Sequence, residues 1–313
     1  MSKTTGQRTI DLNPVSRRLD RGSRIRRGKV LSLILIFCLS VALSGWTLNT
    51  RTVQIPIFGF HDIVNPENPE DLPPQRPRLD MDYYQQDFAN FLDYLGRENY
   101  WLISAQDLLI YFIEKTQPIP LKHLGEKPVM ITFDDGYKGV HKYGLPILKL
   151  VNQVYETQGK FVLFINPRYL GVPGNEEILD HLTEADLIEG FSQGLYDVQS
   201  HGYSHHDLTK LREPDLNFEL AKSKNILRSI LEDVDRNKVA GAHVAYPYGA
   251  MNRKIEKVLP KYHLTGFLYD NRVLRVNSST RRYRLSRIAV SKKRTVQDLI
   301  RLAKQATTLQ KRK

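Results

Sequence analysis

Seven short apolar runs, most of them followed by a helix-like stretch, constrain this chain more than any other feature. Residues 53–60, 128–133, 160–165, 195–199, 242–246, 264–268 and 283–290 read as strands. Residues 83–99, 104–115, 140–156, 183–193, 214–233, 252–259 and 295–305 read as helices. The first of these places Phe88, Phe91, Leu92 and Leu95 on one face. Ser104 with Asp107, and Thr183, supply N-cap signals for two others. Strands alternating with helices predict an α/β fold with a parallel sheet, most simply a distorted (β/α) barrel of about seven strands. Residues 65–78 hold five prolines (Pro66, Pro69, Pro73, Pro74, Pro77) and read as an irregular surface loop.

Ahead of this domain lies a different kind of sequence. Residues 30–50 carry no charge and are rich in Leu, Ile, Val and Phe. Twenty-one residues at a helical rise of about 1.5 Å suffice to cross a bilayer core of roughly 30 Å. The net charge of +12 raises nucleic acid or a membrane surface as a partner, but its distribution decides between them. Residues 1–29 hold nine Lys/Arg against two Asp, which makes that tail a topology signal rather than a nucleic-acid arm. The expected organisation is a basic cytoplasmic tail (1–29), one transmembrane signal anchor (30–50) and a domain (51–313) outside the cytoplasm, at the plasma (inner) membrane. A signal peptide cut at a small-x-small site, Ala42-Leu43-Ser44, is the competing reading; the long basic region favours the anchor. The single cysteine, Cys38, falls inside the apolar segment, which excludes an intramolecular disulfide framework and a cysteine-rich zinc site.

Four predicted strand ends carry polar residues, where a barrel keeps its chemistry. Thr132-Phe133-Asp134-Asp135-Gly136-Tyr137 follows the apolar run Val129-Met130-Ile131. Neighbouring side chains in a strand point to opposite faces, so two adjacent Asp share a site only where the strand ends and the chain turns. Gly136 permits that turn. One carboxylate can then bind a cation while the other takes a proton. His201-Gly202-Tyr203-Ser204-His205-His206 follows the second strand end, and two imidazoles four apart suit a zinc-like ion. With Asp135 they make a two-His, one-carboxylate set that leaves positions for water and substrate. The third end reads Ala245-Tyr246-Pro247-Tyr248-Gly249 and the fourth Phe58-Gly59-Phe60-His61-Asp62.

In this order and on strand ends, TFDDGY, HGYSH and AYPYG resemble the polysaccharide deacetylases of carbohydrate esterase family 4, the NodB-like proteins, over about residues 53–310. The resemblance implies Asp134 as general base. It implies Asp135, His201 and His205 as ligands of a divalent metal, zinc by expectation, and the Tyr248 amide as an oxyanion donor. Tyr137, Tyr246, Pro247 and Arg287 are expected to contact the substrate. Two departures point to a subgroup. Ala245 stands where the common third motif has an Arg, and no His follows His263 to supply the usual late general acid. Instead an early strand ends at His61 and a late one reads Leu285-Ser286-Arg287-Ile288. Both features look like the permuted deacetylases of poly-N-acetylglucosamine, in which an early His takes the acid role. His61 inherits that role, and Arg287 is expected to replace the missing Arg beside Asp134. His206 is the alternative to His205, because the spacing in this subgroup can be one longer. The implied activity is hydrolytic N-deacetylation of an extracytoplasmic polysaccharide with release of acetate. A non-catalytic sugar-binding or scaffold protein on the same barrel, and a two-carboxylate glycoside hydrolase, are the alternatives from other classes.

Overall fold

The structure, a computed structural model, describes residues 52–310. The expected tail, anchor and cleavage site lie outside the described residues. Among the described residues no helix is long and apolar enough to cross a membrane.

Pro56 has no N–H for a sheet ladder, so the first apolar run divides around it into β1 (Val53–Ile55) and β2 (Ile57–Phe60). A short parallel pair follows, β3 (Ile63–Val64) and β4 (Tyr83–Tyr84), bracketing the proline-rich loop. Next come helix α1 (Gln85–Arg97), strand β5 (Tyr100–Leu102) and helix α2 (Ala105–Asp107), whose Ser104–Asp107 capping box is formed and which runs on as a π-helical stretch over Leu108–Ile113. Strand β6 (Lys127–Asp135) is the longest, and it pairs with three others, β2, β5 and β7. After it come α3 (Leu145–Val154), β7 (Phe161–Ile165), α4 (Glu184–Ser192), capped by Thr183, and β8 (Tyr196–Ser200). The chain closes with α5 (Glu213–Ile230), β9 (His243–Ala245), α6 (Arg253–Val258), β10 (Thr265–Phe267), β11 (Leu274–Val276), β12 (Ile288–Ala289) and α7 (Val296–Ala303).

Seven parallel strands run in the order β10-β9-β8-β7-β6-β2-β12, with β5 against the first third of β6. The sheet curls into a half-barrel whose edges meet on one segment. Leu285 bridges to Phe267 of β10, while Ile288 pairs with Phe58 of β2 and Val290 N donates to Gly59 O. The predicted strand over 283–290 is therefore a two-residue strand plus this bridge. β1 leaves the barrel to pair antiparallel with β11.

The helices cover the sheet through aromatic packing. Phe88 and Phe91 of α1 meet Phe60 and Phe58 edge-on at 5.2 and 5.0 Å, and Phe133 lies 5.5 Å from Phe60 and 5.1 Å from Phe161. These rings sit under the last residues of β2 and β6, so the strand ends carrying His61 and Asp134 stand on a rigid floor. The sequence reading omitted β3, β4, β5 and β11, and took Tyr83–Tyr84 into the first helix. Each of these strands is only two or three residues long, too short to show a period of its own, and β5 follows α1 after two residues.

Candidate active site

Side chains from five strand ends converge at the C-terminal rim of the sheet. Asp134 is the last inward residue of β6 and has no exposed surface. Arg287, equally buried, donates from Nη1 to its Oδ1 at 2.7 Å and from Nη2 to its Oδ2 at 2.8 Å. The guanidinium also donates to Thr132 Oγ1 at 3.1 Å and to the Leu268 carbonyl at 3.2 Å, and it lies 4.0 Å from the ring centroid of Tyr269. Burial alone would raise the Asp134 carboxyl; the Arg287 guanidinium outweighs it and holds it far below the usual carboxylate range. Asp134 is thus a fixed, ionised carboxylate.

Asp135 turns the opposite way because the strand ends there. Its φ of 69° is left-handed, and Gly136 follows at 85°. The turn brings Asp135 Oδ1 to 3.4 Å from His201 Nε2 and 3.3 Å from His205 Nε2. His201 Nδ1 lies 2.9 Å from the Ala245 carbonyl, which can only accept, so Nδ1 carries the proton and Nε2 presents a lone pair to the carboxylate. Burial lowers His201 to about 3 and lowers His205, so both imidazoles are neutral. Burial pushes Asp135 up to about 6, and its Oδ1 has no hydrogen-bond partner. Lone pairs facing one another with no proton between them are unfavourable unless a cation lies among them. The three ligand atoms all fall within 4.8 Å of one another. The donor set fits a divalent metal such as zinc.

The loop bearing the two histidines is fastened from below. Asn166 Nδ2, just beyond β7, donates to the carbonyls of His201 and Gly202 at 2.6 and 3.2 Å. Glu219 of α5 accepts from Tyr203 N, Ser204 N and Ser204 Oγ. Glu219 also holds His206, whose Nδ1 is 3.3 Å from Oε1, and the His206 side chain is 59% exposed. Between the two candidates, the fold brings His205 to Asp135 and turns His206 outward. His205 adopts a left-handed φ of 58° to do so.

His61 stands beyond β2 with its ring stacked on Tyr269 at 5.9 Å, and its Nδ1 is buried without a partner. Tyr269 was missed in the sequence, yet it touches both His61 and Arg287. It lies so close to the strand that a Cβ on Gly59 would be 2.3 Å from its hydroxyl. Tyr137 is half-buried and hydrogen-bonds Asp135. Tyr248 is 69% exposed, has φ 61°, and packs on His205 at 4.6 Å. Three of the four expected substrate contacts are buried. Tyr246 is fully buried, with its hydroxyl donating to the Tyr283 carbonyl; Arg287 has no exposed surface and its guanidinium is taken up by Asp134, Thr132, Leu268 and Tyr269; Pro247 is buried as well. Asn166 and Glu219 also escaped the sequence reading; an Asn-Pro pair closing an apolar strand was a usable signal for the first, and nothing local marks the second.

Comparison with known proteins follows this geometry. The profile of the family described as polysaccharide deacetylase matches residues 122–267. The poly-β-1,6-N-acetyl-D-glucosamine N-deacetylase of Staphylococcus aureus (strain MRSA252) is 25% identical over 216 residues, 66% of this chain and 67% of that protein. Among solved structures, BC0361, a polysaccharide deacetylase from Bacillus cereus, aligns with a TM-score of 0.65 at 17% identity over 80% of this chain and 69% of its own. IcaB from Ammonifex degensii aligns with a TM-score of 0.62 at 19% identity over 80% and 97%. The chain spans about two thirds of the length of the curated relatives it matches, 65–67% for the first of them.

Proposed function

The chain carries a polysaccharide deacetylase domain, of a family of hydrolases acting on carbon–nitrogen bonds, and on that premise we propose that it removes acetyl groups from an N-acetylated polysaccharide outside the cytoplasm, releasing acetate. The observation that carries this reading is the meeting of an ionised Asp134 with the Asp135–His201–His205 set at one rim. The S. aureus relative is named for poly-β-1,6-N-acetylglucosamine, and a polymer of that kind is the substrate we favour.

Each residue takes a role its surroundings support. Asp135, His201 and His205 would hold the metal. When bound, a divalent cation would supply Lewis acidity to the amide carbonyl and acidify water, whose pKa such binding can lower from 15.7 to about 7. Asp134, held ionised by Arg287, accepts the proton of the attacking water; a carboxylate this weakly basic acts only on water already acidified. His61 delivers a proton to the leaving amine. The backbone N–H of Tyr248 faces the oxyanion as it develops, a donor worth roughly 3–4 kcal/mol when well placed. Tyr137 orients Asp135. We further propose that residues 30–50 anchor the chain in the plasma membrane with the domain outside, supported by the basic residues that precede the segment. An alkaline phosphatase fusion after residue 60 tests this: an active fusion is expected, and an inactive one rejects the topology.

The test of function is acetate release from poly-N-acetylglucosamine oligomers by the purified protein, with chelator and with zinc restored. Release that stops with chelator and returns with zinc is the expected result. Release unaffected by complete metal removal overturns the metal reading; no release from metal-loaded protein overturns the substrate.

A further inference from the structure

We propose that Arg76 is a positioning residue for His61, holding the imidazole in place by clamping the neighbouring Asp62. The inference rests on the reading of His61 as the group that protonates the leaving amine.

The proline-rich loop over 65–78, expected on the surface, folds inward around this one guanidinium, whose side chain is 12% exposed. Arg76 Nη2 donates to Asp62 Oδ2 at 3.2 Å and to Asp82 Oδ1 at 3.1 Å. Its Nη1 donates to Asp82 Oδ2 at 3.0 Å and to the Asp71 carbonyl at 3.4 Å. Asp62 and Asp82 are 6% and 5% exposed. Two buried carboxylates thus share one cation, a geometry matched to a planar fork and not to a point charge.

Asp62 is also tied to the loop beyond β6. Its Oδ1 accepts from Ile63 N and from Gly139 N, both at 2.9 Å. Gly139 leaves no space for a side chain, since a Cβ would lie 2.1 Å from the Ile63 carbonyl and 2.2 Å from Asp62 Oδ1. Asp82 reaches the third loop: its carbonyl accepts from Lys292 N, beyond β12, and Tyr83 N donates to the Asp62 carbonyl. The Arg76 cluster therefore joins the three loops that follow His61, Asp134–Asp135 and Arg287. His61 stands between Phe60, locked in the aromatic floor, and Asp62, locked by Arg76. Its backbone is fixed on both sides, and little freedom remains beyond its own side-chain torsions. Without the guanidinium, Asp62 and Asp82 lose the donor that holds them together, and Asp62 takes up a proton. Burial pushes Asp62 up to about 7 even with Arg76 beside it. The loop then relaxes, and the imidazole moves off the line of proton transfer.

Leaving-group dependence separates positioning from mere stabilisation. The amine of an N-acetyl sugar must be protonated to depart, whereas the p-nitrophenolate of p-nitrophenyl acetate departs without help. The full chain carrying Arg76→Met, with zinc content measured, is assayed on both substrates beside His61→Ala. We expect Arg76→Met to lose amide turnover by roughly tenfold or more, and His61→Ala by roughly 100-fold, with ester turnover in each within about twofold of wild type. Equal losses of amide and ester turnover in Arg76→Met would reduce the residue to a structural one, and unchanged amide turnover would remove any role. If Arg76→Met does not fold, Asp82→Asn, which removes one charge from the clamp, carries the same comparison and the same criteria. Should His61→Ala itself lose both activities equally, or neither, the acid assignment fails and not the clamp alone.

Discussion

Arg287 and Asp134, 153 positions apart in the chain, form a two-pronged ion pair with no exposed surface. Removing one member leaves the other charged and buried. Arg287→Met is expected to cost about 3–5 kcal/mol of stability, far more than a surface ion pair would. Urea unfolding of wild type and variant measures it; a loss below about 1 kcal/mol contradicts the description of the pair. Arg287→Lys should recover charge but not the paired hydrogen bonds, and so restore only part of the stability.

Asp134→Asn separates proton transfer from metal retention. The three ligand atoms belong to other residues, so the variant is expected to bind zinc stoichiometrically and to release no acetate. Elemental analysis beside the acetate assay checks both halves, and turnover equal to wild type removes Asp134 from the reaction.

The two neighbouring histidines give a direct contrast. His205→Ala should lower zinc affinity by at least about tenfold, since it removes a ligand atom. His206→Ala should leave zinc content unchanged, because that ring points toward Glu219 and solvent. Titration with a competing chelator reads both, and the reverse order would exchange their roles.

Two histidines away from the site set an acid limit on stability. Burial lowers His243 and His263 to about 3 from an ordinary value of 6.5. Between those limits the unfolded chain binds protons that the folded chain refuses, so stability falls as the pH drops from about 6.5 toward 3. Asp62, raised to about 7, and Asp135, raised to about 6, work in the opposite direction, but His201, also lowered to about 3, joins the other two histidines and keeps the balance on their side. The melting temperature should decline steadily from pH 7 to pH 4. His263→Asn, whose Nδ2 takes the place of Nδ1 and can still donate to the Gly241 carbonyl, should flatten the decline; a slope unchanged in that variant refutes the assignment.

Gly59 is required by Tyr269, not by its own backbone. Gly59→Ala is expected to displace the tyrosine ring and to cost about 1–3 kcal/mol, with a larger proportional loss of activity because that ring contacts His61 and Arg287. Parallel measurement of melting temperature and turnover checks this; full activity in a stable variant would show that the ring position is dispensable.

The rim was legible where an apolar run stops abruptly at a polar pair, as at Ile131 to Asp135 or at Phe60 to His61. Period and termination carry that information locally. Arg287 was reached through resemblance, because nothing near position 287 indicates that its partner lies on another strand. Tyr246 was misplaced for a related reason: an aromatic beside a proline at a strand end reads as a groove wall, and only the approach of Gly266 reveals that the ring fits inside. Arg76 was hidden by its neighbours, since prolines signal an irregular path but not the charge around which the path winds. The choice between His205 and His206 depended on Glu219, thirteen residues beyond His206 and on another element.

The order in which the chain is made bears on the pairing of Asp134. At synthesis rates of about 5–20 residues per second, Arg287 emerges roughly 8–30 s after its partner. During that interval β6 ends in an unmatched charge, and β2 lacks the neighbour that closes the curled sheet. A copy that stalls before residue 287 leaves Asp134 without its partner. The centre of the fold is therefore completed only when nearly the whole chain is present.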